Sequence, residues 1–197
     1  MFVSMIDDIT QKYDPEFFDY TISSELGSSP DVAGILIKYY NPRSVIDIGC
    51  GCGIYIKAFH DLGIEDVIGY DGSKHAIERG LLPAKMIMHD LREPLCINRK
   101  YDLCLCIEVA EHIENEYSKQ LVETLVNASD IVFFTAAAPG QGGLHHVNEQ
   151  PFKFWEEIFR SFGFQKDHLT EEVRKKMIDR GVVYWITKNA VIYKKRN

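Results

Sequence analysis

The sequence is poor in basic residues and has no long hydrophobic run. Its 197 residues include 22 Lys and Arg against 29 Asp and Glu, giving a formal net charge of −7 at pH 7. An acidic chain binds nucleic-acid phosphates and anionic membranes weakly, so we disfavour a nucleic-acid partner and expect no membrane partner. The longest apolar run, residues 131–138, is far shorter than the roughly 20 residues needed to span a bilayer.

Cysteine is scarce and lacks the spacing of a structural metal site. The chain has no C-x-x-C pair, which disfavours a zinc knuckle. Its five cysteines are an odd number in a chain long enough to fold without cross-links, which disfavours a disulfide framework. The first ten residues carry no basic start followed by an apolar stretch, which argues against a secretory signal. We therefore expect reduced thiols and a cytoplasmic location. The cysteines are Cys50, Cys52, Cys96, Cys104 and Cys106.

Short apolar runs alternate with amphipathic helical patterns from Ser44 onward, which is typical of a parallel sheet covered by helices on both faces. Ser29 and Pro30 predict the start of a preceding helix, and Thr170 predicts a later helix cap. We expect one domain, with a core over residues 43–197 and an N-terminal arm and helix over residues 1–42 that cover the site. Strands are predicted at residues 44–48, 66–70, 85–89, 101–107, 130–135 and 164–169, and one or two more within 182–194.

Residues 47–53, with the sequence D-I-G-C-G-C-G, are the strongest functional signal. Glycines at the carboxyl end of a strand allow a sharp turn and close approach of a ligand to the main chain. A dinucleotide-binding loop usually has the spacing G-x-G-x-x-G, and Asp47 would repel a pyrophosphate. The same carboxylate can accept hydrogen bonds from a cationic amine. The loop therefore favours a ligand without phosphates and disfavours a nicotinamide-dependent oxidoreductase.

Two further aspartates follow the next predicted strands. Asp71 ends the second strand, where a carboxylate can accept both hydroxyls of a ribose. Asp90 follows the third strand, where a carboxylate can accept a hydrogen bond from an adenine amine. The less favoured alternative is that Asp90 caps the turn that follows it.

With these residues the chain resembles the class I S-adenosylmethionine-dependent methyltransferases, whose first motif is similar to residues 47–53. Residues 101–113 are similar to the fourth-strand motif of the small-molecule branch. Residues 137–151, with P-G-Q-G-G followed by H-V-N-E-Q-P, resemble a subgroup found in bacteria, phages and large viruses, so the cytoplasm could be that of a host cell.

The resemblance implies an α/β fold: a Rossmann-like, doubly wound, mostly parallel seven-stranded sheet with helices on both faces. It also implies S-adenosyl-L-methionine as cofactor and S-adenosyl-L-homocysteine as product. The implied cofactor-binding residues are Asp47, Gly49, Cys50, Gly51, Gly53, Asp71, Gly72, Asp90, Leu91, Glu108 and Val109. Glu108 follows a predicted buried strand at the sheet edge where ligands bind, although it could be a solvated charge, as could Glu111.

Three histidines, His112, His145 and His146, are candidate catalytic bases because neutral imidazole accepts protons near neutral pH. His145 and His146 lie in a glycine-rich loop after the fifth strand. They could also hold a divalent cation with Asn148 and Glu149. We do not favour this, and we predict no metal ligand.

We predict methylation of a hydroxyl oxygen on a sugar, a glycan or another small molecule. The alternatives are a nitrogen or carbon methyltransferase acting on a metabolite or nucleic acid, and an inactive subunit that binds the cofactor. The arm's aromatic residues, Tyr13, Phe17, Phe18 and Tyr20, fit either a lid or a packed segment. The sequence does not decide the oligomeric state.

Overall fold

The computed structural model describes Ile9 and residues 12–196, so most of the predicted arm before Lys12 lies outside the described residues. Within this part of the chain, seven strands form one sheet in the order β3-β2-β1-β4-β5-β7-β6. All neighbouring pairs are parallel except those of β7, which runs antiparallel to β5 and β6. The strands are β1 Ser44–Ile48, β2 Asp66–Asp71, β3 Met86–Met88, β4 Leu103–Ile107, β5 Ile131–Thr135, β6 Phe164–Lys166 and β7 Val191–Lys195.

The helices follow the predicted alternation. They are α1 Pro15–Glu25, α2 Ser29–Tyr40, α3 Ile54–Asp61, α4 Lys74–Glu78, α5 Ser118–Ala128, α6 Phe152–Ser161, α7 Thr170–Asp179 and α8 Tyr184–Asn189. Short 3₁₀ turns occur at Pro83–Lys85, Ala110–His112 and Asn115–Tyr117. None of the helices in the described part of the chain is both long and apolar enough to cross a membrane.

Two hydrophobic cores cover opposite faces of the sheet. The first contains Leu36, Phe59 and Met177 from α2, α3 and α7, and the second contains Leu121 and Trp155 from α5 and α6. Both central strands, β1 and β4, are buried along their whole length and supply side chains to each core in alternation. This arrangement confirms the predicted doubly wound sheet with helices on both faces.

The prediction of strand over most of residues 182–194 was wrong. Residues 184–189 form α8, and only Val191–Lys195 is a strand. Val182, Ile186 and Ala190 recur at helical spacing and are all buried in the first core. Burial of these three side chains on one helix face outweighs the β propensity of the aromatic and β-branched residues between them.

Helix starts differ from the prediction by one residue. Ser28 is the N-cap of α2, where Ser29 was expected, and α7 begins at Thr170 with Leu169 as its N-cap. The predicted strand at 164–169 ends at Lys166 because Asp167 turns the chain into α7, accepting a backbone hydrogen bond from Thr170. These shifts leave the carboxyl ends of the central strands unchanged.

Neighbouring strands β1 and β4 form the switch point of the sheet. The chain continues from β1 to β2 on one side and from β4 to β5 on the other. The connections therefore diverge, and a crevice opens at the carboxyl ends of β1 and β4. Open α/β sheets bind their ligands at this point.

Candidate active site

A cavity of about 1040 Å³ opens above the carboxyl ends of β1, β2 and β4. Helices α1 and α8 and the loop after β5 form its other walls. Single-ligand pockets range from about 300 to 1,000 Å³. The cavity therefore lies at the upper end of this range.

The glycine loop after β1 needs glycine for steric reasons. Gly49 has a φ of 84°, and a Cβ built there would overlap the side chain of Val109. Gly49 and Cys50 both donate backbone hydrogen bonds to the carbonyl of Tyr70, at 2.8 and 3.0 Å. The loop is thus pressed against β2 and β4, and its main chain lines the cavity.

Asp47 presents a buried carboxylate at the cavity. The residue is 1% exposed, and no group in the described part of the chain hydrogen-bonds to either carboxylate oxygen. Burial, together with the charges of Asp71 and Glu25, raises the pKa of Asp47 to about 7. A buried charge without a partner is costly, so an ammonium group bound here would stabilise the ionised form.

Asp71 fastens the glycine loop to the tip of β2. Its Oδ2 accepts a hydrogen bond from the backbone N–H of Gly51 and its Oδ1 accepts one from Ser73, both at 2.8 Å. Burial raises the pKa of Asp71, and these two hydrogen bonds oppose that shift. A carboxylate oxygen has a second acceptor site, so Asp71 can still accept hydrogen bonds from a ligand.

Asp90 is engaged by Arg92. Both carboxylate oxygens accept hydrogen bonds from the guanidinium, the shortest from Nη2 at 2.8 Å, and Oδ1 also accepts one from the Arg92 backbone at 3.0 Å. The turn-capping alternative is therefore present in the structure. An adenine contact at Asp90 stays a prediction.

Glu108 and Glu111 follow β4. Glu108 has a φ of 52°, a left-handed conformation that costs energy for a residue with a side chain. Its backbone N–H donates to Thr135 Oγ1 at 2.8 Å, and its Oε1 accepts from Asn189 Nδ2 at 3.2 Å. Glu111 is fully buried, and its Oε1 accepts from the Ala137 N–H at 3.1 Å. Burial raises the pKa of both carboxyls, and the repulsion from Glu108 adds to the shift at Glu111.

The three candidate histidines occupy different environments. His112 and His146 line the cavity with their ring centroids 4.9 Å apart. His145 instead packs edge-to-face on Tyr13, with the centroids 5.5 Å apart. Burial lowers the pKa of His112 to about 4, so His112 is neutral at pH 7.

Glu149 orients the ring of His146. Its carboxylate accepts backbone hydrogen bonds from Gly140 and Gly142, both at 2.7 Å, and lies 2.9 Å from His146 Nδ1. The hydrogen bond with His146 lowers the pKa of Glu149, which is therefore an ionised acceptor at neutral pH. Nδ1 must then carry the proton, which leaves Nε2 of the neutral ring with a free lone pair.

The cavity brings most of the predicted site residues together. All eleven predicted cofactor-binding residues except Gly53 line it, as do two of the three histidines. Gly53 is the N-cap of α3. Asn148, part of the cation set that was not favoured, donates hydrogen bonds to Ser118 and to the carbonyl of Ala110. No role was predicted for Glu111, or for Glu149 as partner of His146. Their spacings, three residues from Glu108 and from His146, are the only sequence signals for these pairings.

Gly143 controls the position of His146. A Cβ at Gly143 would overlap Nε2 and Cε1 of the His146 ring. We expect Gly143→Ala to displace this ring, with little effect on the stability of the fold because Gly143 lies in an exposed loop. Long-range ¹H–¹⁵N spectra of the imidazole would detect the displacement. Gly27→Ala, where a Cβ meets no atom within 4 Å, is the matched control, and an unchanged His146 resonance in Gly143→Ala would contradict the prediction.

Comparison with known proteins identifies the family. Residues 36–156, more than half of the chain, match a family model described as a methyltransferase domain. The chain belongs to this family, and its fold is the Rossmann-like fold of the class I S-adenosylmethionine-dependent methyltransferases. No curated protein is significantly similar to the chain in sequence.

Solved structures share the fold at low sequence identity. The sugar N-methyltransferase KedS8 from Streptoalloteichus sp ATCC 53650 is 11% identical with a TM-score of 0.71, covering 92% of each chain. Magnesium protoporphyrin IX methyltransferase from Synechocystis PCC 6803, solved with bound SAH, is 17% identical with a TM-score of 0.64, covering 87% of this chain and 83% of that one. The mitomycin 7-O-methyltransferase MmcR is 14% identical with a TM-score of 0.61, covering 83% and 56%.

Proposed function

We propose that the protein transfers the methyl group of S-adenosylmethionine to a hydroxyl oxygen of a sugar, a glycan or another small acceptor. One observation carries this proposal. The same cavity holds an unpartnered buried carboxylate, Asp47, and two imidazole rings, His112 and His146. The carboxylate suits the amine of an amino-acid moiety, and the rings suit a group that must lose a proton.

The cofactor half of the cavity fits S-adenosylmethionine on three grounds. Asp47 lacks a counter-charge that the ammonium of the methionine moiety would supply. The glycine loop exposes its main chain to the cavity beside Asp47. Its glycine spacing is not the G-x-G-x-x-G pattern of loops that bind a pyrophosphate. Asp71 keeps acceptor capacity for ribose hydroxyls at the tip of β2.

The acceptor half contains the groups for proton removal. S-adenosylmethionine, when bound, supplies an electrophilic methyl carbon on a sulfonium sulfur that leaves as a thioether. The task of the chain is to hold the acceptor oxygen in line with that carbon and to promote loss of its proton. Glu149 keeps the Nε2 lone pair of His146 available for this, and His112 is neutral beside it.

Aromatic residues near the cavity support a ring-bearing acceptor. Tyr20 and Tyr184 line the cavity and are 67% and 71% exposed. Trp185 beside them donates from Nε1 to Glu25 at 3.2 Å. Flat aromatic faces stack on sugar and heterocyclic rings. The net charge of −7 argues against a nucleic-acid acceptor.

The N-terminal segment covers the cavity in this proposal. Phe17, Phe18 and Glu25 of α1 line it, and Glu25 joins α1 to α3 and α8 through Tyr55 and Trp185. The described part of this segment, Ile9 and residues 12–42, then serves as a cover that excludes water from the reaction. The core for cofactor binding is formed by the rest of the domain.

Calorimetric titration tests the cofactor half. We expect saturable binding of S-adenosylmethionine and S-adenosylhomocysteine, and none of reduced nicotinamide cofactors. Asp71→Asn should weaken binding about tenfold or more, because a charge-assisted acceptor for the ribose is lost. Asp66→Asn is the matched control, since Asp66 lies at the other end of β2 and pairs with Arg99.

Absence of binding by a folded sample would contradict the proposal. Equal affinity of the two variants would contradict the role of Asp71. An acceptor screen that starts with sugars and amino sugars then identifies the target atom, and methylation of amines alone would replace oxygen by nitrogen. Binding without transfer to any acceptor would indicate a cofactor-binding subunit.

A further inference from the structure

Glu111, His112 and His146 meet at one point of the cavity wall. One ligand atom from each lies within 4.8 Å of the other two. His112 and His146 face the cavity, and Glu111 is fully buried behind them. Two imidazoles and a carboxylate are the donor set of many divalent metal sites.

Two of these three side chains have buried atoms without a partner. Among the described residues none hydrogen-bonds to Oε2 of Glu111 or to Nδ1 of His112. Buried polar atoms are nearly always satisfied, so two such atoms in one cluster point to a missing partner. A cation between Oε2 and Nδ1 would satisfy both atoms at once.

The third side chain is oriented as metal-binding histidines usually are. A ligating histidine normally donates its other ring N–H to a carboxylate or carbonyl, which fixes its tautomer. His146 has this arrangement with Glu149 through Nδ1, at 2.9 Å. Nε2 is then the nitrogen left to bind an ion. Glu149 is itself fixed by the backbone N–H groups of Gly140 and Gly142.

From these contacts we propose that Glu111, His112 and His146 bind one divalent first-row transition-metal ion, with Glu149 as the positioning residue of His146. Two imidazole ligands favour such an ion over Mg²⁺ or Ca²⁺, which prefer oxygen ligands. Three protein ligands leave positions open toward the cavity. A metal site was not favoured from the sequence, and this site differs from the alternative weighed there, since it uses Glu111 and His112 in place of His145 and Asn148.

The open positions define the acceptor class, and this step rests on the proposed function. An ion at the cavity wall can bind two neighbouring oxygens, such as a vicinal diol, and thereby orient one of them for methylation. With the ion bound, the Nε2 lone pair of His146 is a ligand. The ion would then lower the pKa of the bound hydroxyl, which would lose its proton to water on binding, so that its oxygen forms the new bond to the methyl carbon as the thioether leaves.

Cobalt(II) is the probe that we would use, because its visible absorption reports the ligand set. The protein is stripped with a chelator and titrated with CoCl₂, and calorimetry gives the stoichiometry. We expect one Co²⁺ per chain. His112→Asn and His146→Ala should each weaken binding at least tenfold, and Glu149→Gln should weaken it about 10–100-fold with an altered spectrum.

His168→Gln is the matched control, because the His168 side chain is 85% exposed and lies far along the chain from the cluster. Equal Co²⁺ binding by His112→Asn and His168→Gln would overturn the proposal, as would the absence of saturable binding by the wild type. Mg²⁺ that competes at equal concentration would overturn the assignment to a transition metal. If His112→Asn fails to fold by circular dichroism, Glu149→Gln decides the outcome, since Glu149 lies on a surface loop.

The same samples separate this proposal from the function above. If S-adenosylmethionine binds and Co²⁺ does not, the methyltransferase proposal stands and the metal-site proposal is rejected. Co²⁺ binding without binding of S-adenosylmethionine would keep the ion site and remove the proposed function.

Discussion

Replacement of His146 by alanine should lower turnover by about 10²–10⁴-fold and change cofactor affinity less than about threefold. The ring lies in the acceptor half of the cavity, away from Asp47 and the glycine loop. Loss of its Nε2 lone pair removes the group that activates the acceptor, whether it acts directly or through an ion. Steady-state kinetics with the acceptor found by screening, together with calorimetry for the cofactor, would measure both quantities.

Two companion variants sharpen this test. Glu149→Gln should give an intermediate loss of turnover. The Gln amide can either accept a hydrogen bond from His146 Nδ1 or donate one to it, so the tautomer with a free Nε2 lone pair is populated only part of the time. His168→Gln should behave like the wild type, since its side chain is exposed and remote from the cavity. His146→Ala with undiminished turnover would remove this histidine from the mechanism and leave His112 and His145 as the remaining candidates.

Asp47→Asn should weaken cofactor binding by about 100-fold and stabilise the unliganded protein at alkaline pH. The affinity falls because the variant has no charge to pair with the ammonium of the ligand. The stability rises because the wild type must keep a buried carboxylate ionised without a partner. Chemical denaturation across a range of pH, together with calorimetry, would measure the two effects.

The pH dependence has a definite sign. The pKa of Asp47 is raised from 3.8 to about 7, so its protonated form favours folding below pH 4, and this contribution is lost as the pH rises through 7. The difference in unfolding free energy between Asp47→Asn and wild type should therefore grow between pH 4 and 7, by up to about 4 kcal/mol. Ligand binding by the wild type should weaken below pH 7, because Asp47 must then give up a proton.

Asp130→Asn is the contrasting control for Asp47. Asp130 accepts a hydrogen bond from Lys100, which lowers its pKa, so its contribution to stability is lost as the pH falls. The two variants should have opposite pH profiles. Equal profiles, or unchanged cofactor affinity of Asp47→Asn, would contradict the assignment of Asp47 to the ammonium.

Local sequence patterns predicted the strands that carry the site. The strands that end beside Asp47 and Glu108 are buried on both faces of the sheet. Their sequences are therefore continuously apolar and lack the alternation of polar and apolar residues that marks a surface helix. The glycine loop was equally clear, because only glycine tolerates the positive φ angles and the contact with Val109 at position 49. Residues 182–194 were misjudged because α8 packs on β5, which lies distant in sequence, as well as on the neighbouring helix α7.

The sequence by itself determined the fold class, the glycine loop and the acidic residues at the strand ends, since each depends on a few neighbouring residues. Only the tertiary structure decided which groups meet. It paired Asp90 with Arg92, separated His145 from the cavity, and joined Glu111 to His112 and His146. These pairings depend on how the loops after β3, β4 and β5 pack together. Such packing is set by contacts between residues far apart in the chain, which no local pattern encodes.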